Sequence, residues 1–334
     1  MTSPEPVDVL IIGGGPAGLT VALTLVRQRH TAILFDSGSY RNGGVEHMHM
    51  IPTWDHQNPA EFRAKARSEI LNHYENVRIE DVEVTAAKQV NENPSLFEVV
   101  DANNKSWQGR KIILATGSAD IFPDIPGYED AWKRRIYHCL YCEGYEDRGA
   151  ASSGVLAIQT ASVCPMAIHL AENAAHLSSS VTIYTHGSEE LSAQIQTALG
   201  SSGQEKFKVQ SRTISRLRVI QSDDDTDKPT GVELTFTDGT RAVENFLVRN
   251  PFTKIKGPLA EQLGVEVNPS PVPGTGDIAA RFPAYQTSVR GVFAAGDCIT
   301  QYKVVAGAIS SGCNAAVAAS TQLLAELYGH QALI

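Results

Sequence analysis

No stretch of this sequence is apolar over the roughly 20 residues needed to span a bilayer. Cysteine is scarce as well: five in 334 residues are too few for a disulfide scaffold. Positive charge is in the minority. The 28 Lys and Arg against 37 Asp and Glu leave a net charge of -9, so neither nucleic acid nor an anionic membrane is an expected partner. Met1 to Pro6 holds no basic run of the kind that opens a signal peptide, and Gln331 to Ile334 matches no retention or peroxisomal address. A cytoplasmic protein is the expectation. What is present is ordinary for a soluble globular chain, 42% hydrophobic and 19% charged. The length suffices for two domains with cores of their own.

Two of the five cysteines stand together, in His138-Cys139-Leu140-Tyr141-Cys142-Glu143-Gly144-Tyr145. Cys-x-x-Cys puts both sulfurs within bonding reach when the second opens a helix. A helix N-terminus favours the thiolate, the species that attacks a disulfide. Glu143 can carry protons to and from the sulfurs. Half of a zinc site or two packed thiols are the other readings. Zinc asks for four ligands, and no second pair stands out, so no metal is expected. In the cytosol a cysteine pair is more often catalytic than structural. Cys164, Cys298 and Cys313 read as packed thiols.

The chain opens on a second motif. Val7 to Ile12 is a short apolar run, read as a buried parallel strand, and Gly13-Gly14-Gly15-Pro16-Ala17-Gly18 follows at once. Leu19 to Arg27 has helical spacing, and a second strand from Thr31 to Phe35 ends in Asp36. Asp36 lies eighteen residues past Gly18, close to the ~20 expected of a ribose-binding acid. The glycines allow a tight turn and let backbone approach a pyrophosphate at the helix N-terminus. A glycine-rich turn without a ligand is the bland alternative.

Tyr40 to His56 is loop-like and holds His47, His49 and His56. Their spacing is irregular and no carboxylate or cysteine cluster is seen to complete a metal site, so they are read as solvated or cofactor-flanking. Pro59 to Tyr74 is an amphipathic helix, with Phe62, Ala66, Ile70 and Tyr74 about one turn apart. Lys111 to Ala115 runs apolar into Thr116-Gly117, where backbone can again approach a ligand. Ile121 to Gly127 reads as a linker.

A second nucleotide-like unit then begins, with a strand at Gly154 to Ile158, a helix at Met166 to Ala175 and a strand at Val181 to Tyr184. Its turn reads Gln159-Thr160-Ala161-Ser162-Val163-Cys164-Pro165, without a glycine where a pyrophosphate must approach. Glu189 and Glu190 stand where a 2′-phosphate wants arginines. The unit looks like a dinucleotide fold that has lost its dinucleotide; a divergent site that binds through other contacts is the alternative. Asp223 to Asp227 is an acidic hairpin tip, Gly231 to Thr237 a strand and Asp238-Gly239 a turn. Val248-Arg249-Asn250-Pro251 leads back to the first domain. Gly291 to Ala295 is a strand ending in Gly296-Asp297-Cys298, and Val304 to Leu324 a long helix of small residues.

The order of these features resembles the low-molecular-weight thioredoxin reductases of the class-II pyridine nucleotide-disulfide oxidoreductase family. More closely it resembles the FAD-dependent dithiol oxidases of the gliotoxin and holomycin type. The closer match rests on Asp36-Ser37-Gly38 with Arg41-Asn42, His47-x-His49, Trp54-Asp55-His56, His138 to Glu146 and the degenerate second turn. The resemblance implies an α/β fold of two Rossmann-like domains, the second inserted into the first. An FAD-binding domain would span 1–119 and 249–334, and an inserted, NADPH-domain-like unit 120–248. It implies FAD held at Gly13, Gly15, Pro16, Ala17 and Gly18, with Asp36 and Ser37 at the adenosine ribose. Arg41, Asn42, His49 and Ala115-Thr116-Gly117 would flank it, and Gly296-Asp297 would take the ribityl chain. Lys303-Val304-Val305 stands where the reductases place Arg-Gln-Ala near the flavin ring. Cys142 would face the flavin and Cys139 would exchange with substrate, with His138 or Glu143 as base. The implied reaction closes a disulfide in a small-molecule dithiol of the epidithiodiketopiperazine type, with O2 as acceptor and hydrogen peroxide as product. A homodimer is implied, and NADPH is not expected to bind. The alternatives are an NADPH-dependent disulfide reductase and a flavin-bound redox sensor or thiol-sequestering protein without turnover.

Overall fold

The computed structural model describes residues 5–203, 205–222 and 229–333. The acidic run Asp223 to Asp227 lies outside them, as do the first four residues and the last. The chain forms two compact units, one of residues 1–119 with 253–334 and one of residues 120–252.

The first unit is built on β1 (Val7–Ile12), α1 (Pro16–Arg27), β2 (Ala32–Phe35), α2 (Pro59–His73), β3 (Val77–Glu80), β4 (Val84–Glu92), β5 (Ser95–Asp101) and β6 (Ser106–Leu114). Among the described residues its sheet runs β3-β2-β1-β6-β5-β4. The β1 strand pairs in parallel with β2 and with β6. The long β6 strand changes partner along its length. Its first half pairs antiparallel with β5, and its second half pairs in parallel with a late strand at Val292–Ala294.

Strand side chains alternate between faces, and both faces of this sheet are covered. Val9, Ile11, Leu34, Ile113 and Phe293 pack on one side with α1 and the last helix. Leu10, Ile12, Ile33, Ile112 and Leu114 pack on the other with Phe97, Val99 and Trp107 of the antiparallel strands. A parallel strand buried on both faces carries no polar alternation, which is why the buried part of β1, Val9–Ile12, is continuously apolar, while Asp8 lies at its less buried start.

The second unit begins at Asp120, within β7 (Ser118–Ile121). It contains α3 (Tyr128–Ala131), β8 (Ile136–Tyr137), α4 (Leu140–Glu143), β9 (Ala150–Leu156), α5 (Cys164–Ala175), β10 (Ser178–Tyr184), α6 (Glu189–Gly203) and β11 (Phe207–Gln210). It continues through β12 (Ile214–Gln221), β13 (Pro229–Phe236), β14 (Arg241–Glu244) and β15 (Phe246–Val248). Its parallel sheet is ordered β11-β10-β9-β15-β8, and β12, β13 and β14 form an antiparallel layer of their own. Arg249 belongs to this unit. Its guanidinium is fully buried and bonds Tyr128, Ile121 and Gln159 of the same unit. The return crossing therefore falls at 252–253, three residues beyond Arg249, where β16 (Phe252–Ile255) begins. α7 (Leu259–Gln262), β17 (Val292–Ala294) and α8 (Val305–Tyr328) complete the first unit.

His186 follows β10 and accepts the Ile214 N–H on Nδ1 at 3.1 Å. Burial lowers its pKa below the ordinary value of 6.5. Below about pH 6.5 the unfolded chain takes up a proton that the folded chain resists, so stability falls on acidification. The slope stays under the ~1.4 kcal/mol per pH unit of one full proton, because the ring is partly solvated. His186→Gln keeps an acceptor and flattens that slope between pH 7 and 5, read in urea melts at each pH.

Candidate active site

The glycine turn after β1 is shaped by close approach. Gly13 has φ 121°, and a Cβ there would lie 2.2 Å from the Ala115 carbonyl oxygen. Only glycine adopts that conformation freely. A Cβ on Gly18 would meet the Gly13 carbonyl at 1.8 Å, whereas one on Gly15 would meet no protein atom within 4 Å. Gly15 is the N-cap of α1 and Pro16 opens the helix, a geometry that presents free backbone N–H groups to an anion.

Asp36 follows β2 directly with its carboxylate against this turn: a Cβ on Gly14 would touch its Cγ at 2.1 Å. It is 3% exposed and accepts from Gly38 N–H at 2.9 Å, Tyr40 Oη at 2.6 Å and Arg67 Nη1 at 2.9 Å. Burial, together with this carboxylate, pushes the Tyr40 phenol up to about 12, so it stays a donor. Arg63 stacks on the Tyr40 ring at 3.7 Å and donates to Asn42 Oδ1 at 3.1 Å.

The far end of the chain returns to the same place. A Cβ on Gly296 would lie 2.9 Å from Ala17 Cβ, and one on Gly312 would lie 2.5 Å from the Ala17 carbonyl. Arg41 Nη1 stands 3.8 Å from Asp297 Oδ2. Lys303 is committed elsewhere, donating to Asp277 Oδ1 at 2.8 Å and to the Asp297 carbonyl at 2.7 Å. Val304 caps α8 and Val305 begins it. The expected cofactor residues Gly13 to Gly18, Asp36, Ala115, Gly296 and Asp297 are thus brought together within one unit. The cradle fits FAD, whose pyrophosphate asks for the open backbone at Gly15 and whose ribose asks for a buried carboxylate beside it.

In the second unit, β8 delivers the cysteines. Tyr137 pairs with Val248, stacks on Phe246 at 5.8 Å and donates to Asp147 Oδ2 at 2.7 Å. Cys139 and Cys142 are joined as a disulfide, Cα to Cα 5.3 Å. The helix here is a single turn with Cys139, not Cys142, at its N-cap. The Cys142 and Glu143 N–H groups both donate to the Cys139 carbonyl, at 3.1 and 3.2 Å. His138 Nδ1 lies 3.9 Å from Glu143 Oε2, and both side chains are mostly buried. Gly144 closes the turn, since a Cβ there would strike the Leu140 carbonyl at 2.6 Å and Leu177 at 2.7 Å.

Two further expectations need correction. A carboxylate does join the loop histidines. Asp55 lies 3.5 Å from His49 Nδ1 and 3.4 Å from His56 Nε2, and the three ligand atoms all fall within 4.8 Å of one another. Asp55 also accepts the Met50 N–H at 3.0 Å. These contacts hold a loop in which Met50, Thr53 and His56 all have positive φ. His47 lies apart from that group and is half exposed. Cys313 is exposed on α8, not packed, because its neighbour Gly312 takes the face against α1. Cys298 is buried, its thiol pushed up to about 11 by burial, and Cys164 is half-buried.

The match to the pyridine nucleotide-disulphide oxidoreductase family runs from residue 7 to residue 312. The chain belongs to that family. Its members are FAD-binding flavoproteins, and this chain is a flavin-dependent disulfide oxidoreductase. A thioredoxin reductase, tcpT, of Claviceps purpurea is 44% identical over 334 residues, covering all of this chain and 99% of that one. Thioredoxin reductase aclD of Aspergillus oryzae is 43% identical, covering 95% and 96%. The crystal structure of HlmI is 27% identical with a TM-score of 0.84, covering 98% and 96%. This family architecture of two Rossmann-type domains is the fold expected from the sequence. No helix of the described residues is long and apolar enough to cross a membrane.

Proposed function

We propose that this flavoprotein is a dithiol oxidase: it closes an intramolecular disulfide in a small-molecule dithiol and passes the electrons to oxygen, giving hydrogen peroxide. The reading is carried by one combination. An intact cysteine pair with His138 and Glu143 beside it shares a unit with a nucleotide turn that has Gln159, Thr160 and Ala161 in place of glycines. Electrons then enter from the thiol side.

A substrate thiolate attacks Cys139 Sγ, the bond to Cys142 breaks, and Cys142 leaves as a thiolate. The His138–Glu143 pair takes the proton of the second substrate thiol. That thiolate attacks the substrate sulfur of the mixed disulfide, Cys139 leaves, and the cyclic disulfide departs. Bound FAD supplies the two-electron relay from the reduced pair to oxygen. The balance is one dithiol and one O2 to one disulfide and one H2O2. The substrate class that the sequence resemblance points to is an epidithiodiketopiperazine precursor, whose two thiols sit on one small ring. A cytosolic homodimer completes this reading.

Dithiol-dependent oxygen uptake with equimolar peroxide supports it. Stoichiometric NADPH consumption coupled to disulfide reduction contradicts it and favours the second reading, a thioredoxin reductase, which the names of the relatives tcpT and aclD suggest. Glu143→Gln or His138→Gln lowers the oxidation rate about 10²-fold, the lower end for a lost acid–base group, and changes the pH profile of kcat. Stopped-flow measurement of reductive half-reactions checks this.

A further inference from the structure

In an open parallel sheet, ligands bind outside the carboxyl ends of the strands where the strand order reverses. In the second unit that point lies between β9 and β15, since the order is β11-β10-β9-β15-β8. The residues that follow these two strands are bonded to each other across that crevice. Gln159 Oε1 accepts from Arg249 Nη2 and from the Phe252 N–H, the latter at 3.2 Å. Thr160 Oγ1 donates to the Asn250 carbonyl. Arg249 is fully buried and is fixed further by the Ile121 carbonyl at 2.9 Å and by the Tyr128 hydroxyl.

The backbone at Gln159 is the second observation. Its φ is 54°, the left-handed region that favours glycine. The turn keeps the conformation of a glycine turn and carries a side chain on it. Such a residue persists where its surroundings hold it, and the three bonds to 249–252 do so.

We infer that Gln159 is a specificity-determining residue. Its amide, clamped by Arg249 and Phe252, staples the crevice shut against the pyrophosphate of an adenine dinucleotide, so that a nicotinamide nucleotide cannot serve as electron donor. Gln159 also occupies the Arg249 guanidinium, the cation that an incoming pyrophosphate would use. The inference rests on the oxidase reading, in which electrons come from the dithiol.

The test is calorimetric titration of the FAD-loaded protein with ADP, the first nucleotide site being filled. The parent shows no ADP binding. Gln159→Gly removes the staple, leaves the backbone unstrained and releases the Arg249 Nη2 from the amide; it binds ADP with an affinity at least ~10-fold above the detection limit at which the parent shows none. Gln159→Asn, which tolerates the left-handed backbone but has an amide one methylene short, shows the same gain. Gln159→Gly with Arg249→Gln loses it. Folded Gln159→Gly and Gln159→Asn proteins that bind ADP no better than the parent overturn the staple alone. Parent protein that binds ADP overturns it too, and flavin reduction of the parent by NADPH overturns the oxidase reading as well.

Discussion

Serine at either Cys139 or Cys142 abolishes dithiol oxidation, with at least a ~10³-fold fall in kcat, the scale seen when a covalent nucleophile is removed. Neither variant can form the oxidised pair that accepts the substrate's electrons. The fold is expected to survive, because the bridge closes a loop of only four residues and so constrains the unfolded chain little. The two variants separate the roles of the sulfurs. In Cys142→Ser the remaining Cys139 forms a mixed disulfide with an added disulfide probe, located by peptide mapping. In Cys139→Ser, Cys142 does so far more slowly. Mapping is needed because exposed Cys313 also reacts. Equal labelling of both variants would mean that Cys139 is not the entry point.

The second large effect concerns the first glycine turn. Gly15→Ala folds normally, since its Cβ meets no protein atom within 4 Å and its φ of -76° suits alanine. The methyl group instead enters the space where a pyrophosphate must touch backbone, so FAD affinity falls at least ~10-fold, about 1.4 kcal/mol. Gly18→Ala fails differently. Its Cβ would overlap the Gly13 carbonyl at 1.8 Å, forcing α1 away from β1, and thermal stability falls along with flavin content. Flavin absorbance per protein, measured beside circular-dichroism melts, separates the two. A Gly15→Ala protein with full flavin content would place the cofactor elsewhere.

Local chemistry was legible in the chain; distant pairing was not. Strand β1 falls at Val7–Ile12, as read from its apolar run and the glycines after it. The carboxylate of Asp36 was visible from its spacing alone. Its partners Tyr40 and Arg67 were not, because Arg67 lies on a helix whose apolar residues were the signal used. The buried Arg63 carried a trace, one helical turn before Arg67 on the same face. The Gln159–Arg249 contact joins residues 90 positions apart, and only the sheet order brings them together. The Asp55 contact to His49 is invisible in the spacing along the sequence, because a loop with three positive-φ residues folds the carboxylate back. The single-turn helix at the cysteines is opened from Cys139, not from the second cysteine as the motif suggests. Four residues carry too little periodicity to fix an end.

Anaerobic flavin bleaching tests the direction of electron flow most directly. The FAD-loaded protein is mixed in one cuvette with a small dithiol and in another with NADPH. A dithiol oxidase bleaches with the dithiol alone, and air restores the yellow colour with release of peroxide. Rapid bleaching by NADPH, with no response to the dithiol, would show that the second unit still delivers hydride and that the protein is a reductase.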